Sequence, residues 1–391
     1  MREGFPAHGG DLEWAAERYG LDPRDFLDFS SNLNPLGPPE RALEAARAAL
    51  REVGRYPEPD ADRLKAALAR FLDLDRRLLV LGNGSSELIH HLSRCVLSEA
   101  FPAAGEVGPG GGGAGRPPGR ARVTVAVPAF GEYERAARIA GAEPSFHALL
   151  PGDGFSLRPE TLAEEAARSR LTFFCNPASP TGRLYRRKEL LPVLEACRAA
   201  GGILVVDESF MSFCPPGEAE EATLLEHAGE EGLAVLSTLT KVFALAGLRG
   251  PGWLAGPEAL ISYLEERAVP WRVNVAAEAA AMASLEDEGF LAETRAAVAS
   301  WREELAEGLA AAGLFHVFPS RTNFILLRLT GAEERARELV DALGRRGILV
   351  RDCGNFRGLG EGFLRVAVKR PEENRRLLRA LEEAAGELKI P

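Results

Sequence analysis

Hydrophobic and polar positions follow two different periods along the chain. Runs such as Leu78–Leu81, Ile203–Val206 and Leu233–Leu236 are apolar throughout, which predicts strands that are buried on both faces. Residues 61–72 and 88–97 instead repeat their apolar positions every three or four residues, as amphipathic helices do. Strands that alternate with helices predict a mostly parallel sheet with helices on both faces. We therefore expect an α/β fold.

The remaining predicted elements suggest a division of the chain. In the first part, further strands are expected at 122–127 and near Ser145, Leu171 and Gly252, with a further helix at 41–53. After about residue 270 the pattern predicts helices at 276–312, 332–345 and 371–388, and strands at 315–318, 323–329 and near Ile348 and Phe363. We expect an N-terminal arm at 1–45, a large α/β domain at 46–270 and a small α+β domain at 271–391 that the arm joins. Residues 102–120 are rich in Gly and Pro, which predicts a flexible surface insertion.

Composition and charge exclude several classes of protein for this chain. Of the 391 residues, 46% are apolar and 27% charged, and the net charge of −10 argues against broad binding to nucleic acid or to an anionic membrane. No run of 18 apolar residues predicts a membrane span, and the first residues lack the apolar segment of a signal peptide. The five cysteines are widely spaced and form no metal-ligand cluster, so we expect reduced thiols, no metal and a cytoplasmic location.

One lysine has unusual neighbours. Lys241 follows the hydroxyl-rich turn Ser237–Thr240 and is followed by apolar residues, with the next charge at Arg249. Burial among apolar side chains disfavours an ammonium ion and leaves a neutral amine for Schiff-base chemistry. The alternative is a lysine whose apolar stem packs while its charged end reaches solvent. The local sequence does not distinguish these two interpretations.

Three other motifs follow predicted strands, where α/β proteins bind their ligands. Gly82–Glu87 turns from a strand into a helix, whose free N–H groups favour a phosphate. Glu87 stands where a dinucleotide-binding motif has its third glycine, which argues against that class. The segment Asn176–Gly182 and the carboxylate Asp207 each end a predicted strand. A carboxylate buried there needs a cationic partner.

Taken in order, these motifs resemble the signature of fold-type-I pyridoxal-phosphate enzymes of the aminotransferase superfamily. The matching residues are Gly84-Ser85-Ser86, Asn176-Pro177-x-x-Pro180-Thr181-Gly182, Asp207-Glu208 and Thr238-x-Thr240-Lys241 with Arg249. The resemblance covers nearly the whole chain. It implies the fold-type-I fold, in which a large domain with a mostly parallel sheet accompanies a smaller α+β domain. It also implies pyridoxal 5'-phosphate as cofactor, and a homodimer that acts on a small phosphorylated amino acid or amine.

The resemblance further implies the contacts of the cofactor. Lys241 would bind it covalently, Asp207 would pair with its ring nitrogen and Asn176 would donate to its ring hydroxyl oxygen, which makes these three the implied catalytic residues. Phe130 would stack on the ring. The implied contacts of the cofactor phosphate are Gly84, Ser85, Ser86, Thr238, Thr240, Arg249 and, from the neighbouring subunit, Tyr56. Family members often have a tyrosine three residues after the aspartate, where this chain has Phe210.

Two subfamilies that act on phosphorylated substrates share these motifs, namely histidinol-phosphate aminotransferase and L-threonine-O-3-phosphate decarboxylase. The segments His8–Asp11, Asp28–Gly37 and Ile348–Leu359 resemble the decarboxylase more. The substrate contacts that this resemblance implies are His8, Gly9, Asn32, Asn176, Arg351 and Arg365, with Arg365 on the substrate carboxylate. The function it implies is decarboxylation of L-threonine O-3-phosphate to (R)-1-aminopropan-2-yl phosphate in cobalamin biosynthesis.

Two other functions stay open at this point. One is an aminotransferase acting on histidinol phosphate or a related amine, and the other is a cofactor-free binding protein on the same fold. Decarboxylation requires the substrate carboxylate to stand perpendicular to the cofactor ring, whereas transamination requires a hydrogen atom there. This difference lies in small shifts of orientation, which the sequence does not show.

Overall fold

The computed structural model describes Pro6 and residues 8–98 and 121–390, so the insertion predicted at 102–120 lies outside the described residues. The α-helices of these residues are α1 (Leu12–Tyr19), α2 (Glu40–Ala49), α3 (Asp62–Leu72), α4 (Gly84–Val96), α5 (Glu132–Ile139), α6 (Pro159–Ala166), α7 (Arg187–Ala199), α8 (Pro216–Ala222), α9 (Leu239–Val242), α10 (Glu258–Glu265), α11 (Val275–Leu285), α12 (Glu288–Ala311), α13 (Ala336–Arg345) and α14 (Pro371–Leu388). The strands are β1 (Leu27–Asp28), β2 (Leu79–Gly82), β3 (Arg122–Val127), β4 (Glu143–Ala148), β5 (Leu171–Cys175), β6 (Ile203–Asp207), β7 (Leu233–Thr238), β8 (Gly252–Ala255), β9 (Phe315–Val317), β10 (Phe324–Leu329), β11 (Ile348–Leu349), β12 (Arg351–Asp352) and β13 (Phe363–Ala367).

A seven-stranded sheet organises the larger part of the molecule. Its strand order is β2-β8-β7-β6-β5-β3-β4, and all neighbours are parallel except β8, which runs antiparallel to β2 and β7. Successive side chains of the central strand β6 point to opposite faces of the sheet, since Leu204 and Val206 belong to one hydrophobic core and Val205 belongs to the other. The predicted parallel sheet with two covered faces is therefore confirmed. Its parallel register sets Asp207 opposite Cys175 and Leu236, so that β5, β6 and β7 end at one edge.

A second group of strands unites the two ends of the chain. The antiparallel order β12-β13-β10-β9 forms a four-stranded sheet, and β1 pairs in parallel with β11. Phe29, next to β1, is fully buried in the core of this sheet with Leu327 and Leu364. This packing supports an N-terminal arm that joins the C-terminal domain. The division at residues 45 and 270 remains our proposal.

Some predicted boundaries were wrong. The helix predicted at 276–312 is two helices, α11 and α12, because Asp287 interrupts it and accepts a hydrogen bond from the Phe290 N–H as an N-cap. Helix α4 begins at Gly84 and not at residue 88, which makes the Gly-Ser-Ser segment its first turn. In the part of the chain that the structure describes, no helix is long and apolar enough to cross a membrane.

Candidate active site

A cavity of about 1060 Å³ lies at the edge where β5, β6 and β7 end. Residues near both chain ends cover it, as expected for a ligand site in an open α/β sheet. The predicted residues that line it are His8, Gly9, Asn32, Gly84, Ser85, Ser86, Phe130, Asp207, Thr238, Thr240, Lys241, Arg249, Arg351 and Arg365. The fold thus brings together side chains that lie more than 350 positions apart in the sequence.

The first turn of α4 forms one end of the cavity. Its backbone N–H groups have no partner within the helix, and the helix dipole favours an anion there. Among the described residues, neither the Ser85 nor the Ser86 hydroxyl has a side-chain hydrogen-bond partner, so both can donate to such an anion. Arg249 donates from Nη2 to the Asn83 carbonyl at 2.9 Å. A Cβ atom added to Gly84 would lie 2.5 Å from Arg249 Nη2, so the close approach requires glycine.

Two threonines continue this anion-binding end. The Thr240 N–H donates to Thr238 Oγ1 at 3.1 Å, which makes Thr238 the N-cap of α9. The Thr240 hydroxyl donates to the Gly250 carbonyl at 2.8 Å, and the Thr238 hydroxyl lies 3.1 Å from the Pro251 carbonyl. Because these donors already have partners, each hydroxyl would have to rotate to donate to an anion in the cavity.

Asp207 occupies the floor of the cavity and has two hydrogen-bond donors. Tyr133 donates its hydroxyl to Asp207 Oδ2 at 2.6 Å, and the Ser209 N–H donates to Oδ1 at 2.9 Å. Burial raises the pKa of the carboxyl group, whereas these two donors and the nearby Lys241 lower it and offset part of that effect. The Tyr133 ring stacks on Phe173 at 5.1 Å between centroids, which fixes the hydroxyl. Asp207 is thus a buried carboxyl group that shares the cavity with the amine of Lys241.

Lys241 lies in α9, directly after β7, and faces Asp207 across the cavity. Burial, and after it the positive charges of Arg365 and Arg249, lower the pKa of its amine to about 8, although Asp207 acts in the opposite direction. A pKa near 8 leaves about a tenth of the amine neutral at pH 7. This result favours the interpretation of Lys241 as a nucleophilic amine.

Arg365, in the middle of β13, is a buried cation of the site. It donates from Nη1 to Ser179 Oγ at 3.1 Å and from Nη2 to the Ser30 carbonyl at 3.0 Å. Its Nε atom is buried and has no hydrogen-bond partner among the described residues. Burial lowers the pKa of the guanidinium to about 10, so it remains charged at neutral pH. A buried cationic donor without a partner is suited to an incoming carboxylate.

A second arginine, Arg351, meets the N-terminal segment. It donates from Nη1 to the Pro6 carbonyl at 3.0 Å and from Nη2 to Asn355 Oδ1 at 2.9 Å, and burial lowers its pKa. His8 lies 5.5 Å from Phe130 between ring centroids, and its Nε2 lies 3.3 Å from Glu132 Oε1. The buried Oδ1 atom of Asn32 has no partner among the described residues. His8, Asn32 and Arg351 all line the same cavity.

Two predicted site residues do not line the cavity. Asn176 donates from Nδ2 to the carbonyls of Tyr185 and Ala222 and accepts from the Tyr185 N–H, so its amide fixes the chain after β5. Tyr56 is 80% exposed and stacks on Trp271 at 4.6 Å, away from the cavity of its own chain. The predicted contacts of Asn176 and Tyr56 with the cofactor remain predictions.

Sequence reasoning missed several residues of the site, among them Ser179 and Tyr133. Ser179 lies in the same motif as Asn176, lines the cavity and accepts a hydrogen bond from Arg365. Tyr133 lies three residues after Phe130, a spacing that places both side chains on one side of a helix start. That spacing is a signal from which Tyr133 could have been predicted.

Comparison with known proteins identifies the family. The family described as aminotransferase class I and II matches residues 24–381. The chain belongs to this family. Its cofactor is therefore pyridoxal 5'-phosphate, as the family resemblance implied.

Individual relatives of this family member carry two different names. A histidinol-phosphate aminotransferase of Methanosarcina mazei is 32% identical over 97% of this chain and 94% of its own length. A threonine-phosphate decarboxylase of Salmonella typhimurium is also 32% identical, over 96% of this chain and 95% of its own. The crystal structure of histidinol-phosphate aminotransferase from Sinorhizobium meliloti in complex with pyridoxal 5'-phosphate superposes with a TM-score of 0.79 at 21% identity and covers 99% of each chain. The fold-type-I fold is confirmed.

The residues of the cavity fit this cofactor. An aromatic ring, Phe130, lies on the cavity wall, a buried carboxylate, Asp207, lies on its floor, and the amine of Lys241 faces that carboxylate. At one end, α4 and Arg249 present donors for a phosphate. Asp207 is suited to pair with a protonated ring nitrogen, and Lys241 to bind the aldehyde carbon.

Proposed function

We propose that the protein decarboxylates L-threonine O-3-phosphate to (R)-1-aminopropan-2-yl phosphate, a step of cobalamin biosynthesis. The observation that carries this proposal is the pair of buried arginines, Arg351 and Arg365, both on the cavity that contains Lys241. Threonine phosphate has two anionic groups, a carboxylate and a phosphate, and each would have its own arginine. The relatives named threonine-phosphate decarboxylase support this choice.

Each residue then has a task. Arg365 binds the substrate carboxylate with Nε and orients the bond to be broken, while Arg351, His8, Gly9 and Asn32 bind the phosphate. When bound, pyridoxal phosphate supplies an electron-accepting ring for the electron pair left by the broken carbon–carbon bond. Asp207 keeps a proton on the ring nitrogen. The Lys241 ammonium donates a proton from Nζ to the carbon that has lost CO2, which balances the reaction.

The second candidate is an aminotransferase acting on histidinol phosphate. It is favoured by relatives of that name at similar identity, such as those of Methanosarcina mazei and Symbiobacterium thermophilum. Histidinol phosphate has no carboxylate, so the buried Nε of Arg365 would meet one only in the half-reaction with the keto acid, whereas threonine phosphate brings a carboxylate and a phosphate together. For this reason we place the decarboxylase first.

One assay separates the two reactions. The holoenzyme is given threonine phosphate without any keto acid, and CO2 release is followed; in parallel it is given histidinol phosphate with 2-oxoglutarate. We expect CO2 release in the first mixture. No CO2 release, together with turnover in the second mixture, would assign the aminotransferase function.

The proposed active unit is a cytoplasmic homodimer in which Tyr56 contacts the cofactor phosphate of the neighbouring subunit. Tyr56 and Trp271 form an exposed aromatic pair, which a single subunit leaves uncovered. Mixing the inactive variants Tyr56→Ala and Lys241→Ala should restore activity, because a mixed dimer has one site with both residues intact. No recovery after subunit exchange would contradict the shared site.

A further inference from the structure

Glu132 is an acidic residue in the wall of a cavity that Arg249, Arg351 and Arg365 also line. It is 7% exposed and lines the cavity beside His8 and Phe130. A carboxylate near a binding site for an anionic substrate repels that substrate unless its own charge is compensated. A specific role for Glu132 would explain this placement.

Three cationic or potentially cationic side chains surround Glu132. His90 Nε2 lies 2.8 Å from Oε2, while His8 Nε2 and Arg135 Nη1 each lie 3.3 Å from Oε1. Burial alone would raise the pKa of Glu132, but the hydrogen bonds from His90 and Arg135 outweigh it and the pKa lies below its usual value. Glu132 is therefore an anion at neutral pH.

The segment that carries His8 is held in place at neighbouring positions. A Cβ atom added to Gly9 would lie 2.2 Å from the Ser30 carbonyl oxygen, so the segment passes too close for any other residue. The Gly10 N–H donates to Ser30 Oγ at 2.8 Å, and Arg351 Nη1 donates to the Pro6 carbonyl at 3.0 Å. With the neighbouring backbone held, the His8 ring is oriented by its side-chain contacts with Glu132 and Phe130.

An imidazole has two nitrogen atoms with separate roles. Because an imidazolium ion donates from both nitrogen atoms, Nε2 of His8 can donate to the Glu132 carboxylate while Nδ1 donates to an oxyanion in the cavity. A carboxylate that accepts from one nitrogen of an imidazole fixes the plane of the ring.

We propose that Glu132 is a positioning residue that holds His8 through Nε2, so that His8 Nδ1 donates a hydrogen bond to the substrate phosphate. This inference rests on the proposed function, in which His8 contacts that phosphate. It assigns Glu132 an indirect role, since the carboxylate itself does not touch the substrate.

A double-mutant cycle on the holoenzyme tests the inference. KM and kcat for the phosphorylated substrate are measured for Glu132→Gln, His8→Ala and the double variant. We expect Glu132→Gln to raise KM about tenfold, with kcat within about twofold, because the lost contact is made to the phosphate and not to the reacting bond. In the His8→Ala background, Glu132→Gln should change KM by less than about twofold.

The control is Glu165→Gln, which alters another histidine–glutamate pair, His147–Glu165, also 3.3 Å apart and outside the cavity. It should leave KM unchanged. If Glu132→Gln raises KM equally with and without His8, or if Glu165→Gln reproduces its effect, the positioning role is wrong. If His8→Ala raises KM but Glu132→Gln does not, the inference fails and the proposed function stands. If His8→Ala itself leaves KM unchanged, the phosphate contact of His8 in the proposed function fails as well.

Discussion

Replacing Tyr133 by phenylalanine removes one oxygen atom from the contacts of Asp207 and leaves the rest in place. The Tyr133 hydroxyl donates to Asp207 Oδ2 at 2.6 Å, and its ring stacks on Phe173, a contact that phenylalanine retains. In the variant, the Ser209 N–H remains on Oδ1. The substitution therefore isolates one hydrogen bond to a buried carboxylate.

The expected loss of activity in Tyr133→Phe follows from the strength of that hydrogen bond. A hydrogen bond to a charged group contributes about 1.5–3 kcal/mol, which corresponds to a factor of about 10 to 150. Its loss raises further the pKa of Asp207, which burial has already raised, and a protonated Asp207 cannot hold a proton on the cofactor ring nitrogen. We expect kcat/KM to fall by that factor. The loss should grow as the pH falls, because the carboxylate of the variant is protonated at a higher pH than that of the wild type.

The assay is steady-state kinetics of both holoenzymes between pH 6 and 8, together with the pH dependence of the cofactor absorbance. Tyr185→Phe is the matched control, because the buried Tyr185 hydroxyl donates to the neutral Phe155 carbonyl at 2.7 Å, outside the cavity. The control should lose about 0.5–1.5 kcal/mol of unfolding free energy and leave kcat/KM within about twofold. An unchanged kcat/KM for Tyr133→Phe at every pH, or an equal loss in the control, would refute the reasoning.

Three further predictions concern the cations of the site. Lys241→Met should stabilise the cofactor-free protein by about 1–3 kcal/mol at pH 7, as measured by urea unfolding. Between pH 8 and about 10.5 the folded lysine binds fewer protons than the unfolded one, so the wild type gains stability as the pH rises through this window. The difference in unfolding free energy between the variant and the wild type should therefore disappear at high pH. An equal gap at pH 7 and pH 10 would contradict this origin. Arg365→Gln removes a charge that lowers the Lys241 pKa. Stopped-flow absorbance should therefore show that the cofactor-free variant binds pyridoxal phosphate more slowly than the wild type at pH 7, and at the same rate above pH 9. An unchanged rate at pH 7 would exclude an effect of the Arg365 charge on Lys241. Gly84→Ala places a Cβ atom 2.5 Å from Arg249 Nη2 at a residue with a φ of +77°. We therefore expect a loss of about 1–2 kcal/mol of unfolding free energy, and weaker cofactor binding in a fluorescence titration. A variant that binds the cofactor with wild-type affinity would show that this turn does not hold the phosphate.

The parts of the site that lie at strand ends could be predicted from the sequence. Asp207 and Lys241 follow uniformly apolar runs, and parallel strands bring the residues after such runs to one edge. His8, Asn32 and Arg365 come from chain ends that no period or spacing connects to this edge. Those residues could be placed only through the family resemblance.

The details within a motif could not be predicted in the same way. Asn176 and Ser179 lie in one segment after β5, where the chain is not a strand and residues do not alternate between two sides. The sequence does not tell which of them faces the cavity. In the structure Ser179 lines the cavity, whereas the Asn176 amide forms hydrogen bonds with the backbone of Tyr185. The hydrogen bond of Tyr133 could not be predicted for a different reason. Its partner Asp207 is 74 positions away in the sequence, so only the folded chain brings the two side chains together.

The central claim is that Lys241 carries pyridoxal phosphate in this cavity. Borohydride reduction of the holoenzyme, followed by proteolysis and mass spectrometry, tests it most directly, because reduction fixes the cofactor on the lysine that binds it. We predict the reduced cofactor on Lys241 and none on Lys65, a second buried lysine that pairs with Glu265 away from the cavity. Recovery of the label on Lys65 or another lysine, or of no label from protein that contains the cofactor, would contradict the account.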